Sequence, residues 1–133
     1  MTDYAALKAR VDALYLEYIF PVLATLRVGE DASAAALEET LLQGARAAGI
    51  RVRRYILPAG VPASDALELI REVNADLLLS ALLVLRPMPE ELDPAALEAA
   101  LRPEKRLPQP EAGEEGILML LSRVADAAER KAR

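Results

Sequence analysis

The chain has no cysteine, no histidine and no tryptophan, and only one phenylalanine and four tyrosines among 133 residues. Without cysteine there is no disulfide, no thiol nucleophile and no thiolate metal site. Without histidine it lacks both the usual general base near neutral pH and the commonest metal ligand. Any catalysis would rest on Lys, Tyr, Ser or carboxylates. Basic surplus is missing too: the net charge is −5, which argues against nucleic acid, because a phosphate backbone is held by a basic face. No apolar run reaches the roughly 20 residues of a membrane span, and no signal-peptide pattern is present, so a cytoplasmic protein away from membranes is expected.

What is present is apolar: 53% of residues are hydrophobic, enough for one domain over residues 1–133 with its own core. Eight of the ten residues from Leu77 to Arg86 are apolar, entered from Asn74-Ala75-Asp76 and left through Pro87-Met88-Pro89. Such a run reads as a strand buried on both faces, and in an open parallel sheet ligands sit at the carboxyl ends of the strands. Around it helix and strand patterns alternate. A helix over Asp3–Tyr18, with Thr2 or Asp3 as N-cap, is stopped by Pro21, and Val22–Val28 is a strand ended by Gly29. Ala34–Ala48 is a helix capped by Gly49, and Arg51–Leu57 alternates like a strand near a sheet edge. Ala66–Val73 is a helix capped by Ser64 or Asp65, with Glu68 placed for a capping box. Asp93-Pro94 opens a short helix to about Leu101, Arg102–Gly113 is irregular with three prolines, and a helix runs from about Glu114 into the basic tail. The alternation predicts a three-layer α/β/α domain with a short, mostly parallel sheet.

Four stretches carry a resemblance: Pro21–Asp31 (PVLATLRVGED), the spacing from Gly29 to Gly49-Ile50, Leu67–Pro89 (ending LLVLRPMP), and Leu97–Lys105 followed by Gly116–Leu121. In order and spacing they resemble the N-terminal catalytic domain of the methylenetetrahydrofolate dehydrogenase/cyclohydrolase family. The resemblance implies that family's fold and a folate cleft at the strand ends. It also implies a Tyr-x-x-x-Lys pair on the second helix, a Gln on the central strand supporting the Lys, and an Asp binding the pterin. Here the matching positions hold Leu37, Leu41, Leu85 and Pro108, and a leucine cannot donate, accept or titrate a proton. Arg86 replaces an apolar residue, while Pro87, Met88 and Pro89 keep the Pro-x-Pro exit. The family's NADP-binding domain is not expected, since the sequence ends at Arg133 with no Gly-x-Gly-x-x-Gly.

The sequence therefore reads as a degenerate, standalone copy of the catalytic domain: a non-catalytic interaction or regulatory domain with no cofactor and no metal. A protein partner or a second copy is the expected occupant of the altered cleft. The alternatives are a folate binder or one-carbon enzyme working through other residues or with a partner chain, and a binder of an unrelated small molecule with an apolar pocket. Leu37 and Leu41 either turn inward and fill the old pocket or form an apolar patch beside Leu85, Met88 and Pro108. Arg86 is read as a salt-bridged strand end over a ligand contact. The cluster Arg102, Lys105 and Arg106 is read as a solvated loop over an anion site. Glu90-Glu91 is read as an exposed helix start over a metal site, and Ser33 and Ser80 as capping or satisfied hydroxyls.

Overall fold

A computed structural model describes residues 4–133; the N-cap expected at Thr2 or Asp3 lies outside them. Strands β1 (Val22–Val28), β2 (Arg51–Leu57) and β3 (Ala81–Val84) form one parallel sheet in the order β2-β1-β3. Alternation along β1 and β3 sorts side chains to two faces. Leu23, Ala81, Leu83 and Leu85 join one core with helices α1 (Tyr4–Leu16), α2 (Ala32–Ala48) and α5 (Glu114–Ala132). Ala24, Leu26, Leu82 and Val84 join the other with α3 (Ala63–Ala75) and α4 (Pro94–Ala100). The three-layer α/β/α expectation holds, and every strand pair is parallel.

Local chemistry sets the element ends. Asp31 caps α2, its carboxylate accepting from the N–H groups of Ser33 (2.9 Å) and Ala34 (3.1 Å). Gly49 closes the helix at φ 79°, the left-handed conformation that glycine adopts without a Cβ penalty. Within α2, Gly44 permits close helix packing: a Cβ there would lie 2.8 Å from the Tyr4 hydroxyl and 3.0 Å from Leu121 Cδ1.

Two expectations are corrected. Helix α3 starts three residues before Ala66, at Ala63, with Pro62 as N-cap and no side-chain cap. The Pro62 carbonyl accepts from Asp65 and Ala66, and Glu68 pairs with Arg71 at 2.6 Å instead of reaching back to the cap. The apolar run from Leu77 is not all buried strand: Leu77 and Leu78 are 78% and 68% exposed. Asp76 explains the difference, because its carboxylate accepts from Leu78 N–H (2.9 Å) and its carbonyl from Leu79 N–H (3.3 Å). That Asx-type turn holds the two leucines outside the sheet.

Candidate functional site

Helix α2 runs across the face of β1, so residues four apart on it point the same way. Leu41 is fully buried, as is Leu85 just beyond β3, and both belong to one core with Leu107, Ile117, Leu120 and Leu121. Leu37, one turn before Leu41, is half-buried against that core. The structure therefore places Leu37 against, and Leu41 and Leu85 within, one core and turns Leu41 and Leu85 inward. It does not gather them into an exposed patch. Burying each such side chain stabilises by about 1.5–3 kcal/mol.

The strand exit follows. Arg86 precedes a cis peptide bond to Pro87 and pairs with Glu98 on α4, the salt-bridged strand end expected. Pro87, Met88 and Pro89 face Val28, Gly29, Glu30, Asp31 and Ala59 across an open groove of about 310 Å³. Pro108 is not on this groove. It is exposed and lines a separate hollow of about 270 Å³ with Pro110, Glu111, Met119 and Arg123. Its neighbour Gln109 donates to the Val84 carbonyl at 2.8 Å and so ties the crossing segment to the end of β3. Glu90 and Glu91 are exposed, and among the described residues no group of three His, Cys, Asp or Glu side chains could hold a metal ion. The Ser33 hydroxyl donates to Asp31, and that of Ser80 accepts from Val22 N–H, so both serve local structure.

Residues 3–107 match the sequence model of the tetrahydrofolate dehydrogenase/cyclohydrolase catalytic domain. The chain belongs to this family. The bifunctional protein FolD 2 of Myxococcus xanthus is 35% identical over 102 residues, covering 76% of this chain and 35% of that protein. The bifunctional protein FolD of Nitrobacter winogradskyi is 38% identical over 85 residues, covering 64% and 29%. Among solved structures, the Campylobacter jejuni FolD methylenetetrahydrofolate dehydrogenase/cyclohydrolase superposes with a TM-score of 0.75 at 21% identity, over 77% of this chain and 36% of that one. The Trypanosoma brucei FolD, complexed with NADP cofactor and inhibitor, superposes at 0.73 with 24% identity, over 77% and 35%. The chain thus spans about a third of the length of these relatives.

Two buried charges in this family member escaped the sequence reading or contradict it. Glu38, on α2 between Leu37 and Leu41, is 1% exposed. Its carboxylate accepts from the Thr25 hydroxyl (2.9 Å), Arg27 Nε (3.2 Å) and an Arg54 guanidinium nitrogen (2.8 Å). Burial pushes its pKa up, but the hydrogen bonds from Arg54, Thr25 and Arg27 prevail and hold the carboxyl below its usual range. The signal available in the sequence was Arg27, a charge inside an otherwise apolar strand. Lys105, expected in a solvated loop, is 6% exposed. Its ammonium donates to the carbonyls of Val73 (2.6 Å) and Asp76 (2.7 Å), satisfying the end of α3. Arg106 likewise serves α4, donating to the carbonyls of Leu101 and Ala99, both at 2.8 Å. The basic cluster splits into two helix-end anchors and an exposed Arg102.

Proposed function

We propose that this chain is a non-catalytic member of the tetrahydrofolate dehydrogenase/cyclohydrolase family, acting as an interaction or regulatory domain. One observation carries the reading. The positions that the resemblance assigns to the catalytic amine and its supporting amide are Leu41 and Leu85, both fully buried in one apolar core. General acid–base chemistry requires a titratable or hydrogen-bonding group within about 3 Å of the reacting proton. Side chains that fill the space offer neither the group nor the room for a pterin. Pro108, at the position of the pterin-binding carboxylate, is an exposed imino acid away from the strand-exit groove. Burying packable residues where a wet polar site once stood stabilises the fold, which fits a site no longer used.

The experiment is an assay of purified chain with methylenetetrahydrofolate and NADP, together with methenyltetrahydrofolate hydrolysis. The expected rate equals the uncatalysed background in both. A rate abolished by a single substitution overturns the reading. A thermal-shift titration with tetrahydrofolate separates the folate-binding alternative, because a ligand that binds only the folded state raises its melting temperature; no shift at saturation is expected.

A further inference from the structure

A hollow lies at the amino end of the sheet, opposite the strand exits. It measures about 480 Å³, within the range of about 300–1,000 Å³ typical of small-molecule sites. Its walls are apolar: Ile19, Phe20, Val52, Leu77 and Leu78. The exposure of Leu77 and Leu78 is imposed by the Asp76 turn and is not a fraying end.

Arg51 and Lys131 line the hollow, and neither makes an ion pair among the described residues. A second cavity of about 260 Å³ opens beside it, sharing Ser80 and Lys131 and adding Lys105 and Arg130. The Lys105 and Lys131 ammonium groups lie close enough that burial, and for Lys105 also the charge of Lys131, lowers their pKa. The nearby carboxylates are Asp76, whose charge acts on both lysines, and Glu104, whose charge acts on Lys105. Asp76 is held by Arg53 at 2.8 Å and by Leu78 N–H. Glu104, on the second cavity, lies 4.0 Å from Arg102 with its side chain 62% exposed. Arg51 and Lys131, outside any ion pair among the described residues, thus bring positive charge to an apolar trough.

We propose that this trough binds a free amphipathic carboxylate: its alkyl chain lies along Phe20, Val52, Leu77 and Leu78, and its headgroup meets Lys131 and the neighbouring cations. The concave shape suits a single chain better than a flat bilayer. A second copy is disfavoured, because a two-fold contact would set one basic rim against the other. The site lies away from the filled cleft and does not depend on the function proposed above.

The test is isothermal titration of the chain with dodecanoate below its micellar concentration, beside dodecanol and dodecyltrimethylammonium. One saturable site is expected for dodecanoate, with the cationic amphiphile at least about tenfold weaker and decanoate about tenfold weaker than dodecanoate. Lys131→Glu weakens dodecanoate about tenfold, and Leu77→Ser weakens it to a similar degree, while far-UV circular dichroism stays that of the parent. Absence of saturable heat overturns the proposal, as does equal binding of both amphiphile charges or indifference to both substitutions. Cosedimentation with anionic vesicles without binding of monomeric dodecanoate assigns the surface to a bilayer and overturns it. A concentration-dependent dimer in light scattering, broken by Leu77→Ser, does so in favour of self-association.

Discussion

The two ends of the sheet use the same side chain differently. At the carboxyl end, where α/β folds of this kind hold their ligands, Leu41 and Leu85 are buried in the core. At the amino end, Leu77, Leu78 and Tyr18 stand exposed around a hollow of about 480 Å³. The same residue type therefore means opposite things within one chain. A leucine on the inner face of a helix fills a core, and a leucine held out by a turn keeps a surface apolar. Position relative to the sheet decides which.

Substitutions separate the two ends. Leu41→Lys introduces the amine that the resemblance assigns to this position and drives a charge into a closed core; it is expected to cost about 4 kcal/mol or more in urea unfolding. A stable, folded lysine variant would show that the carboxyl end reopens readily and would break the contrast. Glu38→Ala removes the carboxylate that Arg27, Thr25 and Arg54 share, and should cost about 3 kcal/mol by the same measurement, because Arg27 is left unpaired with only 13% of its side chain exposed.

The pH dependence follows with the same sign. Glu38 has a folded pKa below its unfolded value, so its contribution is full above the unfolded value of about 4.3 and is lost as pH falls through the folded pKa. Glu38→Gln should flatten the stability profile in that acid window. At the amino end, Lys105→Met strands the carbonyls of Val73 and Asp76, with an expected loss of about 1–3 kcal/mol. Leu77→Ser sits last, within about 0.5 kcal/mol of the parent, since the side chain is already in water. A large loss there would mean that the amino-end leucines pack in solution and would erase the distinction.

Much of the fold was legible because local chemistry and tertiary packing agree. Strands at Val22–Val28 and Arg51–Leu57 fall where the pattern put them, since the central strand's mostly apolar run, broken by Thr25 and Arg27, and the edge strand's alternation each reflect their place in the sheet. Asp93-Pro94 opens α4 as its N-cap and first-turn proline require. What escaped depends on partners distant in sequence. Glu38 looks like one of two adjacent helix-surface acids until β1 and β2 bring Arg27 and Arg54 against it. Lys105 reads as loop charge because nothing nearby announces that α3 ends beside it. The Asp76 turn was misread for a different reason: an apolar run hides a short Asx motif at its entrance, and composition outvoted one polar residue. For the cleft, the identity of Leu37, Leu41 and Leu85 was plain, but whether they point inward depends on α5.

Helix α5 has a consequence for where this protein can be divided. The stretch by which the family is identified closes at residue 107, yet Ile117, Leu120, Leu121 and Val124, all beyond it, complete the core that holds Leu41 and Leu85. The unit that is recognised and the unit that folds therefore have different borders. Cut at the first, the chain would lose one wall of its own interior. The segment beyond the matched residues is the one that completes the core around Leu41 and Leu85.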